Sequence, residues 1–138
     1  MHEPSPFPVA FRHPLRVYWE DTDAGGVVFY ANYLKFFERA RTEWLRSLGI
    51  GQQALMEREG LLFVVAETSL RYVRPARLDD LLEVTVAVAE AGRASLRLQQ
   101  RALRDGELLT AGDIRIGCVA AGDFRPCRIP ASILEKLP

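Results

Sequence analysis

The stretch from Glu20 to Leu48, EDTDAGGVVFYANYLKFFERARTEWLRSL, runs from an acidic loop with two glycines into a long helical pattern. After Asn32 the apolar residues recur at steps of three and four, which predicts one buried helix face made of Tyr33, Phe37, Ala40, Trp44 and Leu48, widened by Leu34, Phe36 and Leu45. Asn32 is a favourable N-cap, and Gly49 stands where a left-handed residue commonly ends a helix. No other part of the sequence predicts a long helix.

The rest of the chain predicts strands, at Leu15 to Trp19, Leu61 to Val73, Leu82 to Val88, Ser95 to Arg104 and Leu108 to Ala120. Leu61 to Ala66 is continuously apolar, which is typical of a strand buried on both faces. Asp105-Gly106 predicts a hairpin turn, and Gly112 is interpreted as a bulge. We also predict an irregular arm over residues 1–13 and short helices within residues 51–60 and 132–137.

This order of elements predicts one α+β domain over residues 1–138. Strands joined by hairpins form an antiparallel sheet, and the helix must bury its apolar face on that sheet. A five-stranded antiparallel sheet wrapped around one long central helix is the hotdog arrangement. Because such a sheet has exposed edges in a monomer, we expect a homodimer.

Composition excludes several classes of function. Eighteen basic and eighteen acidic side chains cancel, so charge gives no reason to expect a nucleic-acid partner. No apolar run approaches the ~20 residues of a transmembrane helix, and no signal peptide is recognisable, which predicts a cytoplasmic protein without a transmembrane segment. Cys118 and Cys127 lack metal-ligand spacing. We therefore expect no metal and no redox cofactor.

The acidic loop has several interpretations. A calcium loop is excluded, because counting from Asp21 the fifth position is Gly25 and the twelfth is Asn32 rather than glutamate. Magnesium-dependent phosphoryl transfer at Asp21 is a rival, although that chemistry usually belongs to a parallel sheet. We expect Asp21 to shape a turn, with Gly25 and Gly26 supplying positive φ angles.

Hydrolysis assigns Asp23 a chemical role. A carboxylate just ahead of a helix N-terminus can attack a carbonyl, or activate water against it, while free backbone N–H groups stabilise the oxyanion. The backbone from Val28 to Tyr30 is the expected oxyanion site, and Gly25 and Gly26 would let the backbone approach the substrate. A solvated aspartate is weakly basic, so it suits an activated ester such as a thioester.

The same residues carry a resemblance to a known family. The segment RVYWEDTDAGGVVFYANYLKFFERARTEWL, continued by QALM, FVV and PARLDD, resembles the 4-hydroxybenzoyl-CoA thioesterase family of hotdog proteins. It is most similar to the Tol–Pal-associated acyl-CoA thioesterase branch (YbgC type), over roughly residues 15–130. The resemblance implies homodimers that often pair into homotetramers, and an acyl-CoA substrate whose coenzyme A is the only cofactor involved.

The resemblance also implies roles for individual residues. It places the catalytic aspartate at Asp23, as nucleophile or general base, and an amide matching that of Tyr30 on the thioester carbonyl. The branch commonly has histidine where this chain has Tyr30, so a side-chain role for that histidine is not carried over. Residues Arg93, Ser95, Arg125 and Arg128 lie where related hotdog enzymes tend to hold the nucleotide.

Several choices stay open at this stage. The acyl group is small, medium or aromatic, and an acyl carrier protein is an alternative to coenzyme A. A non-catalytic acyl-CoA-binding or scaffold protein of the cell envelope machinery is the rival from another functional class. Glu38 and Glu43 lie on the helix, where we expect them to pair with nearby arginines. Glu67 is assigned to either the active site or a subunit interface.

Overall fold

Five antiparallel strands form one sheet in the computed structural model, which describes residues 5–138. The strands are β1 (Val9–Arg16), β2 (Leu61–Tyr72), β3 (Leu81–Ala91), β4 (Ser95–Arg104) and β5 (Glu107–Ala120), arranged in the order β1-β3-β4-β5-β2. The helices are α1 (Tyr33–Ser47), α2 (Gln52–Glu59) and α3 (Ala131–Leu134). These elements confirm the predicted α+β hotdog fold with one long helix. Among them, no helix is long and apolar enough to cross a membrane.

Helix α1 packs its aromatic face on the sheet. Phe36, Phe37 and Trp44 are at most 1% exposed, and the polar face of the helix lies in solvent. Leu34 was predicted to flank the buried face, but it is 44% exposed because its position points away from the sheet. Gly49 has φ +81°, as its predicted role at the helix end requires.

The start of α1 differs from the prediction. Asn32 precedes the helix, but its side chain does not cap it. A 3-10 turn at Tyr30–Asn32 leads into α1. The side-chain NH2 group of Asn32 donates to Asp21 Oδ1 at 2.8 Å. The first helical N–H groups are therefore not satisfied by the residue that the sequence favoured for this purpose.

Strand β1 corrects the predicted arm. It begins at Val9, so an irregular arm over residues 1–13 is wrong for its last five positions, and residues 1–4, with His2, lie outside the described part. Pro14 pairs with Glu83 inside the strand, which an edge position tolerates because proline lacks only the donor N–H. The predicted continuation to Trp19 is also wrong, since Trp19 begins a 3-10 turn and is 81% exposed.

Strand β2 was expected to be buried on both faces, and it is not. It lies at the edge of the sheet, where Val65 is 51% exposed and the following four residues are exposed. The predicted bulge at Gly112 is also wrong, because the β5 register runs through this residue without a shift on either side. A Cβ atom at Gly112 would lie 2.8 Å from Phe37 Cε2, so the glycine allows helix α1 to approach the sheet.

The two ends of the sheet carry different parts of the chain. At the first, the loop end, β1 stops at Arg16, β2 stops at Tyr72 and β3 starts at Leu81. At the other, the tail end, β3 stops at Ala91 and β5 stops at Ala120. Since β3 has 11 residues, the two ends are about 33 Å apart.

We expect Gly112→Ala to destabilise the protein by about 1–3 kcal/mol, because the added methyl group would overlap Phe37, Ile114 and Leu70. Gly117→Ala is the matched control in the same strand, since the nearest atom to its Cβ would be Ala94 O at 4.0 Å. Urea unfolding of both variants measures the difference. Equal midpoints would show that the helix does not depend on this close approach.

Candidate active site

Asp23 lies in a tight hairpin over residues 22–28. Thr22 pairs with Val28, and the Asp23 N–H donates to Val27 O at 2.9 Å. The Gly26 N–H donates to Asp23 O at 3.0 Å, and Gly26 has φ +79°, as predicted, whereas the positive φ predicted for Gly25 is wrong. The exposed Asp23 carboxylate accepts the Gly25 N–H at 2.8 Å through Oδ1. One carboxylate oxygen is therefore oriented by the loop, and the side chain is open to solvent.

Asp21, two residues earlier, is 4% exposed and serves the fold. Its Oδ2 accepts the Tyr18 N–H at 2.8 Å and its Oδ1 accepts the Asn32 amide at 2.8 Å. This is the turn-shaping role that the sequence predicted for it. Both oxygens are engaged and the sheet is antiparallel, so the arrangement does not support phosphoryl transfer at Asp21.

The free backbone donors lie at the start of the helical segment. The Val28 N–H donates to Ala76 O at 2.8 Å, and the Phe29 N–H donates to Asp21 O at 2.9 Å. Within residues 5–138 the N–H groups of Tyr30 and Ala31 have no hydrogen-bond acceptor. The oxyanion site was expected at the backbone from Val28 to Tyr30. Because the Val28 and Phe29 N–H groups already have acceptors, the remaining candidate donors are the N–H groups of Tyr30 and Ala31.

An aromatic cavity of about 260 Å³ opens beside these amides, lined by Val28, Tyr30, Tyr33, Tyr72, Val73, Arg74 and Pro75. The Tyr72 ring lies 6.3 Å from the Tyr30 ring and 5.8 Å from the Tyr33 ring. The Tyr72 hydroxyl donates to Tyr30 O at 2.9 Å. Burial, followed by the neighbouring phenols of Tyr30 and Tyr33, raises the pKa of Tyr72 above its usual value.

Tyr72 did not emerge from the sequence as a site residue. It lies 42 positions from Tyr30 and belongs to the end of β2, where an aromatic residue indicates a strand and gives no sign of a site. The available signal was Pro75, which ends the strand and marks the point where the chain turns towards the acidic loop.

The loop over residues 75–80 holds the hairpin of Asp23 in place. Its residue Ala76 accepts the Val28 N–H, and Arg77 pairs with Val27. Asp80 Oδ2 accepts the Arg77 N–H at 2.8 Å and the Arg104 guanidinium at 2.7 Å. Partial burial raises the pKa of Asp80, but these hydrogen bonds and the two arginine charges outweigh burial, so the pKa lies below its ordinary value.

The residues expected to hold the nucleotide lie at the tail end: Arg93, Ser95, Arg125 and Arg128. The Ile129 N–H donates to Arg93 O at 2.7 Å, which brings the chain segment with Arg128 beside the β3–β4 turn. Arg125 Nε lies 3.5 Å from Asp123 Oδ2. Within one chain, these residues lie together but at the opposite end of the sheet from Asp23.

Of the remaining acidic candidates, Glu43 pairs with Arg46 as expected and Glu67 pairs with Arg115. Glu38 accepts from the Thr42 hydroxyl rather than from an arginine. Arg41 also departs from the expected pairing on the helix. It is buried and donates to Gln100 Oε1 at 2.9 Å, and this burial lowers its pKa despite the nearby Glu38 charge.

Comparison with known proteins identifies the family. The thioesterase-like superfamily matches residues 17–137. The chain belongs to this superfamily. It is 46% identical over 123 residues to the acyl-CoA thioesterase YbgC of Haemophilus influenzae, covering 89% of this chain and 90% of that protein. It is 34% identical to the acyl-CoA thioesterase YbgC of Helicobacter pylori, covering 88% and 96% of the two chains.

Solved structures share the fold. A 1,4-dihydroxy-2-naphthoyl-CoA thioesterase from Synechocystis superposes with a TM-score of 0.85 at 21% identity, covering 92% of this chain and 94% of that one. The resemblance seen in the sequence is thereby confirmed, and the protein is a YbgC-type hotdog thioesterase. The predicted enzyme class, a thioester hydrolase, is confirmed with it.

We expect the 75–80 loop to lose stability in acid. Because the folded pKa of Asp80 is depressed, its ion pair stabilises the fold above the ordinary aspartate pKa of about 3.9, and this contribution is lost as pH falls through the lower folded value. Asp80→Asn should cost about 1.5–3 kcal/mol at pH 7 and flatten the decline of stability below pH 4. Urea unfolding at pH 7 and at pH 3 measures both effects. An unchanged acid decline in the variant would show that other carboxylates cause it.

Proposed function

We propose that this protein hydrolyses the thioester of a small, medium or aromatic acyl-CoA, with Asp23 as the catalytic residue. The observation that carries the proposal is the hairpin of residues 22–28, which presents an exposed carboxylate at one end. At its other end it leads into the amides of Tyr30 and Ala31, which have no acceptor in the described part of the chain. The names of the YbgC relatives support acyl-CoA as the substrate class.

The proposed mechanism divides the work between main chain and side chain. The thioester oxygen accepts hydrogen bonds from the Tyr30 and Ala31 amides, which carry partial positive charge at the helix start. The stabilisation increases as the oxygen becomes an oxyanion. Asp23 either attacks the carbonyl carbon, giving an anhydride that water hydrolyses, or takes a proton from the attacking water. Both routes break the carbon–sulfur bond and give a carboxylic acid and coenzyme A thiol.

A complete site requires residues from both ends of the sheet. Within one chain, Asp23 and Arg93 lie at opposite ends of the sheet, and the strand β3 that joins these ends is about 33 Å long. Pairing two copies antiparallel along one edge places the loop end of each beside the tail end of the other. We therefore propose a homodimer in which Asp23 of one subunit acts with the tail-end arginines of the partner.

The edge strand β2 is the interface that this dimer would use. It has 12 residues and its exposed edge carries unpaired backbone groups, whereas β1 at the other edge has 8 residues and contains Pro14. Val65 and Tyr72 are 51% and 47% exposed, so a partner strand would also cover apolar surface. The homotetramer implied by the family resemblance remains a further prediction, and light scattering would measure it.

Asp23→Asn should reduce kcat at least about 100-fold for every acyl-CoA that the wild-type protein hydrolyses, because the amide neither attacks nor accepts a proton. Thiol release from short, long and aromatic acyl-CoAs, and from acyl carrier protein thioesters, measures this in the presence of chelator. Asp105→Asn is the matched control, since Asp105 is exposed in the β4–β5 turn with φ +51°, a conformation that asparagine tolerates.

The outcomes separate the competing functions. Equal activity of Asp23→Asn and wild type would remove Asp23 from the mechanism. Binding of acyl-CoA by wild type, with no turnover of any donor in the panel, would favour the non-catalytic binding protein. Loss of activity on adding chelator would reopen a metal-dependent reaction.

Subunit mixing tests the shared site. Asp23→Asn and the double variant Arg93→Ala/Arg128→Ala should each be weakly active at low substrate concentration. If the site combines two subunits, each mixed dimer contains one site with all native groups, and random mixing should restore about a quarter of the wild-type activity. If the site used one chain only, every site would keep a defect and mixing would restore nothing.

A further inference from the structure

The hydroxyl of Tyr72 lies on a particular peptide group of the proposed oxyanion site. It donates at 2.9 Å to Tyr30 O, the carbonyl of the Tyr30–Ala31 peptide. The N–H of that same peptide belongs to Ala31, which is one of the two helix-start amides without a recorded acceptor in residues 5–138. The two ends of this peptide thus face a phenol and the proposed substrate position.

A hydrogen bond at one end of a peptide changes the other end. Donation to the carbonyl draws electron density towards oxygen and leaves the N–H a stronger donor, a cooperative effect of about 10–30% per bond in condensed phase. A stronger donor stabilises an oxyanion more than it stabilises a neutral carbonyl, because the oxyanion carries the larger charge. The effect therefore acts on the transition state more than on substrate binding.

We propose that Tyr72 is a positioning residue of the thioesterase reaction, which orients and polarises the Tyr30–Ala31 peptide so that the Ala31 N–H stabilises the oxyanion. The inference rests on the proposed function, since it requires a thioester carbonyl at the start of the helical segment. It assigns no proton transfer to Tyr72, which remains a neutral phenol throughout.

The surroundings of Tyr72 suit this role. Its ring is held between those of Tyr30 and Tyr33, at 6.3 and 5.8 Å, so the hydroxyl has a defined direction. Tyr33 is in turn fixed by the Ala76 N–H, which donates to its hydroxyl at 3.2 Å. The raised pKa of Tyr72 keeps the phenol protonated over the working range of pH, so it remains a donor.

Tyr72→Phe should lower kcat about 3- to 20-fold with little change in KM, less than the roughly 100- to 1,000-fold loss expected for deleting a whole oxyanion donor. Tyr18→Phe is the control, because Tyr18 is 62% exposed and contributes no hydroxyl to the cavity. Thermal melting and oligomer mass of both variants would exclude a folding defect as the cause.

A graded change in donor strength separates polarisation from packing. Fluorotyrosines placed at position 72 keep the ring and lower the phenol pKa stepwise. Below their ionisation, kcat should rise as the phenol becomes a stronger donor. In the Asp23→Asn background, the infrared carbonyl stretch of a bound thioester should move to higher frequency when Tyr72→Phe is added. A packing role would move neither quantity.

The results also distinguish this inference from the proposed function. If wild type hydrolyses acyl-CoA and Asp23→Asn does not, but Tyr72→Phe matches wild type in kcat and carbonyl frequency, only the role of Tyr72 is overturned. If wild type hydrolyses no thioester at all, the proposed function and the role of Tyr72 are overturned together.

Discussion

The buried carboxylate of Asp21 is the contact on which the rest of the site depends. It joins the Tyr18 N–H at the end of β1 to the Asn32 side chain at the start of α1, and the Asp21 carbonyl also accepts the Phe29 N–H. These bonds close the chain between strand and helix and force the intervening residues out as a hairpin. A buried charge is costly unless it is fully hydrogen-bonded, and here both oxygens have donors. Asp21 therefore fixes the loop while the side chain of Asp23 stays exposed to solvent.

The sequence predicted elements whose signals are local. The stripe of α1, the Asp105-Gly106 turn and the boundaries of β4 follow from periodicity and turn chemistry, and the structure has each of them. The hotdog arrangement followed because one amphipathic helix and a series of hairpins have few ways to bury their apolar faces. The catalytic role predicted for Asp23 stays a prediction, and it rests on the position of this carboxylate in the loop that leads into the helical segment.

The errors share a physical cause, which is dependence on residues distant in sequence. Gly112 looked like a bulge, but its missing side chain makes room for Phe37 on another element. Asn32 looked like a cap, but its side-chain NH2 group donates to Asp21 and its side chain makes no capping hydrogen bond. The continuous apolar run of β2 indicated burial, and within the single chain this strand lies at the edge. Neither the partner of Tyr72 nor the separation of Arg93 from Asp23 has any local signature.

The number of residues in the hairpin of residues 22–28 sets the spacing between the Asp23 carboxylate and the Tyr30 amide. Its cross-strand pairs follow a regular antiparallel register: Asp21 pairs with Phe29, Thr22 with Val28 and Asp23 with Val27. At the tip, Ala24 can change its side chain without altering these pairs, whereas Gly26 is held by its φ of +79°. Adding or deleting one residue would shift every pair and turn Asp23 to the other face of the ribbon. This segment therefore tolerates substitutions far better than insertions or deletions.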